Sequence, residues 1–134
     1  MPWKPKYCLN VIDNLAITAT YKTPAINFNP DMGLFEIKGV STPNNPFEFY
    51  NPIVNWLDNY SGNPNDLTTV NIYITYFDTS SSKWILHILK IFEKINGEKK
   101  VIMNWYYEED DEIMMESGEV YQSILNMPMY LIEK

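Results

Sequence analysis

The chain has 134 residues, of which 46% are apolar and 20% charged, as is typical of one globular domain with a core of its own. Its net charge of −7 argues against binding to nucleic acid or to an anionic membrane, because both need a positive patch on the protein. The single cysteine, Cys8, cannot form a disulfide within the chain, and no apolar run approaches the length of a membrane span. With no signal-peptide pattern at its start, the chain is expected to be cytoplasmic.

The first part of the chain predicts three strands. Residues 1–12 contain two prolines, and we interpret them as an N-terminal extension to a folded domain over residues 13–134. Alternation of apolar and polar residues predicts strands over 15–20, 25–28 and 34–39. A turn with proline and glycine joins the last two strands, so we expect a β-hairpin there.

A helix and a long strand follow. Apolar residues recur every three or four positions over 46–60, and Pro52 either kinks this predicted helix or separates a short turn from its main part. Residues 68–77 give the strongest strand pattern, with one apolar face and two rings, Tyr73 and Phe77, on the other face. We therefore expect a central strand that is covered on both sides. The face predicted to lie in the core consists of Val70, Ile72, Ile74 and Tyr76.

The remaining pattern alternates helix and strand. Residues 79–96 predict a second helix with a wide apolar stripe, 100–107 a strand, 108–123 an acidic stretch that continues as a third helix, and 129–132 a short last strand. The order β-β-β-α-β-α-β-α-β predicts a single α/β domain with a mixed sheet, an N-terminal hairpin and packed helices. The apolar positions of the third helix are Met114, Met115, Val120, Ile124 and Leu125.

Four consecutive hydroxyl residues stand where the long strand gives way to the second helix. They are Thr79, Ser80, Ser81 and Ser82. One interpretation is structural: Asp78 or Thr79 caps the helix, which contributes about 1 kcal/mol. The functional interpretation is that Thr79, or a serine beside it, is phosphorylated. A phosphate adds about −1.5 to −2 charges at the positive end of the helix, where Lys83 lies one turn away.

An acidic run follows three aromatic residues near the end of the chain. Residues 108–112, which include Glu108 and Glu109, are all carboxylates, but calcium or magnesium sites need spaced ligands, so a solvated helix start is the simpler interpretation. The rings before the run favour a docking surface for a protein partner. These rings are Trp105, Tyr106 and Tyr107.

Catalysis has weaker support in the sequence. His87 is the only histidine and has no nearby residue to orient it as a base or ligand, and no Gly-rich phosphate loop occurs. A small metal-assisted hydrolase or transferase that uses Asp78, the serines and the acidic run remains one alternative. A constitutive scaffold domain without phosphorylation remains another.

Several segments carry a resemblance to a known family. They are Thr23-Pro24, Pro43-Asn44-Asn45, Phe49-Tyr50, Trp56-Leu57, the segment from Tyr76 to Lys83, and the segment from Trp105 to Glu112. In this order and spacing, the chain resembles the SiaC family of bacterial regulatory phosphoproteins, whose fold is similar to the STAS domain of anti-sigma-factor antagonists. The resemblance spans about residue 14 to the end and does not include the N-terminal extension.

The resemblance implies a protein-binding switch that is not an enzyme and needs no cofactor of its own. A partner kinase, which brings ATP and magnesium, is expected to phosphorylate Thr79, with Ser80, Ser81 and Ser82 as alternates, and a PP2C-type phosphatase to reverse it. The unphosphorylated form is expected to bind and activate an effector such as a diguanylate cyclase in cyclic di-GMP signalling. The residues expected to contact partners are Asp78, Thr79, Ser80, Ser81, Ser82, Lys83, Trp105, Tyr106, Tyr107, Glu108 and Glu109.

Overall fold

A computed structural model describes residues 12–134 of the chain. The elements are β1 (Leu15–Ile17), β2 (Ala25–Asn29), β3 (Leu34–Ser41), α1 (Pro46–Ser61), β4 (Leu67–Phe77), α2 (Thr79–Asn96), β5 (Lys100–Tyr107), α3 (Glu112–Ile124) and β6 (Tyr130–Glu133). Their order is the predicted one. Cys8 and all but the last residue of the predicted extension lie outside the described residues, so the division at residue 12 stays a prediction.

The six strands form one mixed sheet in which the order across the sheet equals the order along the chain. β1, β2 and β3 pair antiparallel, and β2 and β3 form the predicted hairpin. β3, β4, β5 and β6 pair parallel, each joined to the next by a helical crossover. The predicted α/β fold with a mixed sheet and an N-terminal hairpin is therefore confirmed.

All three helices pack on one face of the sheet. Phe35 of β3 contacts Tyr60 of α1 and Phe92 of α2, with ring centroids 4.8 and 5.7 Å apart. Trp105 of β5 contacts Tyr121 of α3 at 5.4 Å.

β4 is a central strand, as predicted, but no helix within residues 12–134 covers the other face of the sheet, so the described residues do not supply the second cover that was predicted. Of the two rings predicted for that face, Tyr73 lies there half-buried, whereas Phe77 lies on the helix side and contacts Trp105 and Tyr121.

Tyr76 does not join the core as predicted. The register between β3 and β4 shifts between Gly39 and Val40, so that Gly39 faces Ile74 but Val40 faces Tyr76. Gly39 has φ of +131°, a backbone conformation that side chains rarely permit, and this allows the irregularity. Thr75 is the extra residue in β4, since it has no partner in β3. It shifts the alternation of the strand, so Tyr76 points outward and is 55% exposed.

Two local features, the end of β1 and the path of α1 through Pro52, settle points that the sequence pattern left wrong or open. β1 ends at Ile17 rather than at Thr20, because the Thr20 hydroxyl accepts hydrogen bonds from the backbone N–H groups of Lys22 and Thr23 and forms a turn. α1 runs without interruption through Pro52, which lies on its exposed side. Neither a separate turn nor a second helix start occurs at that proline.

Among the described residues, no helix is long and apolar enough to cross a membrane.

Candidate functional site at the start of helix α2

A single residue, Asp78, connects β4 to α2. Its backbone is extended, and its carboxylate accepts hydrogen bonds from the Ser81 N–H at 2.9 Å and from the Ser80 hydroxyl at 2.8 Å. Partial burial alone raises the pKa of Asp78, but these hydrogen bonds together outweigh it and hold that pKa below its ordinary value. Asp78 is therefore a charged N-cap that fixes the first turn of the helix.

The four hydroxyl residues point in different directions. Thr79 and Ser80 are exposed, Ser82 is half-buried, and Ser81 is fully buried. Ser82 donates to the Thr79 carbonyl at 2.7 Å, and Ser80 donates to the cap. In the described part of the chain, no hydrogen bond engages the Thr79 hydroxyl. Among the four, Thr79 therefore combines an exposed side chain with a hydroxyl that makes no hydrogen bond to the described residues, at the helix end where backbone N–H groups lack carbonyl partners.

Ser81 belongs to a buried hydroxyl cluster with Ser41 and Tyr50. The Ser41 hydroxyl contacts Ser81 Oγ at 2.8 Å and also hydrogen-bonds the Tyr50 hydroxyl, while Ser81 Oγ donates to the Ser41 carbonyl at 2.9 Å. Burial raises the pKa of Tyr50, which keeps its phenol protonated. The cluster ties the start of α2 to the end of β3 and to α1. A kinase cannot reach Ser81 in this fold, so the structure removes it from the set of acceptors and contact residues.

Helix α3 also contacts the first turn of α2. The Tyr121 hydroxyl donates to the Ser82 carbonyl at 2.9 Å. Burial raises the pKa of Tyr121, and the electrostatic effect of nearby Tyr50 raises it further. The ring of Tyr121 packs on Phe77, with centroids 6.1 Å apart. The start of α2 is consequently held from three sides, by β3, α1 and α3.

The three aromatic residues predicted for the contact surface differ in burial and do not form one surface. Trp105 is fully buried, and its indole N–H donates to the Met114 carbonyl at 2.9 Å, so it positions α3. The prediction that Trp105 contacts a partner is therefore wrong. Tyr106 lies on the sheet face that the helices leave open, stacked on Tyr73 at 4.2 Å. Tyr107 is half-buried against the core. Alternation along β5 places Tyr106 on the open face and the other two rings toward the helices, although Tyr106 and Tyr107 line one surface pocket together with Glu108.

The acidic run is a loop and a helix start. Glu108 and Glu109 are exposed, and Asp111 caps α3 by accepting the Met114 N–H at 3.1 Å. Both glutamates follow β5 as Asp78 follows β4, so these segments leave the same edge of the parallel sheet. Within residues 12–134, no cluster of three or more His, Cys, Asp or Glu side chains could hold a metal ion. His87 lies exposed on α2, 6.2 Å from the Trp84 ring.

A groove between α2 and α3 was not predicted. It has a volume of about 310 Å³, and Ser82 and Lys83 form the end nearest to Thr79. Val120 and Ile124, predicted as apolar positions of α3, are 57% and 42% exposed along its wall. The sequence does contain a signal for this groove. α3 carries more apolar residues than the side of the helix that faces the sheet can bury, so some of them must be exposed.

The fold and the site together define a small α/β domain with an exposed hydroxyl at a capped and anchored helix start. A family model described as SiaC family regulatory phosphoprotein matches residues 17–134. The chain therefore belongs to the SiaC family.

The relatives agree with this assignment. A protein of Pseudomonas aeruginosa strain UCBPP-PA14, PA14_02130, is 25% identical over 118 residues, which are 87% of this chain and 94% of the relative. The chain in the crystal structure of apo-SiaC from Pseudomonas aeruginosa has 24% sequence identity to this chain and superposes with a TM-score of 0.81, over 90% of this chain and 99% of the other. In the crystal structure of diguanylate cyclase SiaD with its activator SiaC from the same species, the match is 25% identical with a TM-score of 0.83, again over 90% and 99%.

Proposed function

We propose that this chain is a phosphorylation-controlled switch and not an enzyme. In its unphosphorylated form it binds and activates a diguanylate cyclase, and phosphorylation of Thr79 releases the cyclase. Membership of a regulatory phosphoprotein family and the similarity to an activator in complex with a cyclase support this function. The observation that carries the proposed site is the exposed, unengaged hydroxyl of Thr79 on a first turn that is otherwise fixed.

The chemistry is supplied by partners. A kinase with ATP and magnesium transfers the γ-phosphoryl group to Thr79 Oγ1, the hydroxyl proton leaves, and ADP is released. A PP2C-type phosphatase hydrolyses the phosphothreonine with one water and returns threonine and inorganic phosphate. In both steps this chain is the substrate, so it needs no cofactor of its own.

The effect of the phosphate follows from its position. The dipole and free N–H groups of the first turn favour the added charge, whereas the adjacent Asp78 carboxylate opposes it. Thr79 is exposed and the hydroxyl cluster lies beneath it, so the domain accepts the phosphate without repacking. The main change is on the surface, where a partner that binds the neutral helix start meets new negative charge and must desolvate it.

The proposed contact surface consists of exposed or half-buried residues. Its centre is Asp78, Thr79, Ser80, Ser82 and Lys83. Glu108 and Glu109 extend it along the same edge of the sheet, with Tyr107 beside them, while Tyr106 lies on the open face and is the least well placed member of the predicted set.

The first test is the modification itself. Intact-mass and peptide mass spectrometry of the protein from its native cells, under several growth conditions, should show one phosphate on Thr79 in a fraction of molecules. Phosphate on Ser80 or Ser82 would move the acceptor, and its absence under every condition, with the kinase overproduced, would contradict the switch.

The second test is activation. Each diguanylate cyclase encoded in the same genome is mixed with Thr79→Ala, Thr79→Glu or Asn63→Glu protein, and synthesis of cyclic di-GMP from GTP is measured. We expect Thr79→Ala to activate one cyclase and Thr79→Glu to bind it roughly tenfold more weakly or worse. Asn63→Glu adds the same charge in the exposed loop at the opposite edge of the sheet and should activate normally. Equal affinity of the two Thr79 variants would sink the proposal.

A further inference from the structure

The sheet face that the helices leave open is basic, although the chain as a whole is acidic. The charged residues that strand alternation and packing place on it are Glu36, Lys38, Lys100 and Lys134. Three lysines and one glutamate give this face a net charge of +2, in a chain whose net charge is −7. Excess positive charge attracts an anion and repels the same face of a second copy, so an anionic ligand suits this face better than a homodimer.

A pocket of about 210 Å³ opens at the edge of this face where β4, β5 and β6 end. Its walls are the rings of Tyr73 and Tyr106, stacked with centroids 4.2 Å apart, and the ring of Tyr107. Gly39 and Thr75, at the irregularity between β3 and β4, line it as well. Such irregularities are common beside functional sites, and ligands of open α/β sheets bind outside the carboxyl ends of the parallel strands.

Two ammonium groups reach the pocket without a counter-ion. Lys38 Nζ lies 5.6 Å and Lys134 Nζ 4.7 Å from the centroid of the Tyr73 ring. Within residues 12–134 neither lysine forms a salt bridge, although both line a pocket that also contains carboxylates. The ring attracts both cations, so they stay near each other in spite of their mutual repulsion. A ligand with phosphate groups would neutralise them, because phosphate oxygens accept hydrogen bonds from ammonium groups.

The loop after β5 adds hydrogen-bond acceptors to the same pocket. Glu108 is exposed, and in the described part of the chain its carboxylate makes no salt bridge. Asp111 uses Oδ1 for the Met114 N–H, which leaves its second oxygen for another donor. A carboxylate accepts well from two neighbouring N–H groups at once. The pocket thus combines an aromatic wall, two cations for phosphate and an acceptor for a pair of N–H donors.

We propose that this pocket binds a guanine nucleotide. Guanine presents two adjacent donors, N1–H and N2–H, on one edge, whereas adenine presents one donor beside an acceptor there. The Glu108 carboxylate accepts from the guanine edge, the base lies against the tyrosine rings, and the phosphates reach Lys38 and Lys134. A cavity of about 150 Å³ holds one benzene molecule, so the pocket has room for one base while the phosphates extend over the basic face.

The regulatory role of this pocket rests on the proposed function, whereas binding itself depends only on the residues that line it. GTP is the substrate of a diguanylate cyclase and cyclic di-GMP is its product, and both contain guanine and phosphate. Tyr107 and Glu108 belong both to the pocket and to the proposed contact surface. A bound nucleotide therefore occupies Glu108 and adds negative charge beside the cyclase, which couples activation to the level of substrate or product.

Binding is tested on the isolated, unphosphorylated protein. Isothermal titration calorimetry at one ionic strength gives the Kd of GTP, cyclic di-GMP, ATP and inorganic phosphate. We expect GTP or cyclic di-GMP to bind roughly tenfold more tightly than ATP, the ratio that one hydrogen bond to a charged group supplies, and inorganic phosphate to bind most weakly. The tighter of the two guanine ligands identifies whether substrate or product is the signal.

Three substitutions test the assigned contacts against a matched control. Lys38→Gln and Lys134→Gln should each weaken binding of the guanine ligand roughly tenfold, because each removes a charged contact with phosphate. Glu108→Gln should reduce the preference for guanine over adenine. Lys100→Gln removes a lysine of the same face at the far end of β5 and should stay within twofold of wild type. All four side chains are exposed, and circular dichroism verifies that each variant folds.

Several outcomes would overturn the proposal. They are equal affinity for ATP and GTP, binding of inorganic phosphate as tight as that of the nucleotides, equal losses in Lys100→Gln and the pocket variants, and no nucleotide binding at all. Loss of cyclase affinity in Lys38→Gln and Lys134→Gln without nucleotide binding would assign the face to an acidic protein segment instead. The Thr79 variants are judged separately: if they bind the cyclase equally while guanine nucleotides still bind, the pocket stands and the switch is wrong.

Discussion

At the scale of single residues, the start of α2 combines a fixed frame with one free hydroxyl. Asp78 caps the turn from outside, and Ser81 anchors it from inside through Ser41 and Tyr50. Buried hydroxyls are costly unless paired, so this cluster constrains the turn to one arrangement. Thr79 is left projecting from a rigid base, and a modification there changes the surface rather than the fold.

The cap is testable through its charge. Asp78→Ala should lower the free energy of unfolding by about 1 kcal/mol at pH 7, whereas Asp78→Asn, which also caps, should lose less than half of that. The folded-state pKa of Asp78 is depressed, so its contribution is present above the unfolded value of about 3.9 and is lost as pH falls through the lower folded value. Urea titrations at pH 7 and near pH 3 should therefore show wild type and Asp78→Ala converging in acid. An equal difference at both pH values would contradict a charged cap.

At the scale of elements, the contact between β5 and α3 depends on a missing side chain. A Cβ on Gly118 would lie 2.6 Å from Cδ1 of Trp105 and 2.9 Å from Leu131. Gly118 therefore allows the indole to sit beneath the helix and donate to the Met114 carbonyl. Because α3 is seated this way on β5, Val120 and Ile124 are turned toward the groove and the solvent.

Gly118→Ala should destabilise the protein even though alanine is the better helix former. Helix propensity favours alanine by about 1 kcal/mol, but the clash with a buried ring costs about 1–3 kcal/mol and displaces α3. We expect a lower melting temperature by differential scanning calorimetry. The adjacent exposed Glu119→Ala is the control and should stay within about 0.5 kcal/mol of wild type. A rise in stability of Gly118→Ala would show that the contact is looser than described.

At the scale of the whole molecule, the strands of the sheet differ in length and in the number of neighbouring strands with which they pair. β4 lies between β3 and β5 and beneath the helices, whereas β1 has three residues and, within residues 12–134, pairs with β2 alone. Local opening is easiest where few contacts hold a segment. The strand that pairs on both sides leads through Asp78 directly into α2, so we expect the proposed acceptor to follow a strongly held part of the fold.

Hydrogen exchange followed by mass spectrometry should rank the strands accordingly. Amides of β4 should exchange most slowly and those of β1 fastest, with the first turn of α2 closer to β4 than to β1. The measurement on Thr79→Glu should give the same ranking if the modification acts on the surface alone. Loss of protection throughout α2 in that variant would indicate that charge at position 79 melts the helix instead.

The sequence by itself determined the nine elements, the hairpin, the parallel second half and the position of Thr79 at a helix start, because periodicity, turn residues and capping act over a few neighbouring positions. Only the tertiary structure decided which residues are reachable. Ser81 and Trp105 carry polar groups that suggest a surface, yet partners distant in sequence, Ser41 and Met114, satisfy them in the core. Val120 and Ile124 are apolar yet exposed, because each helix can press only one side on the sheet and the seating of α3 on Trp105 selects that side.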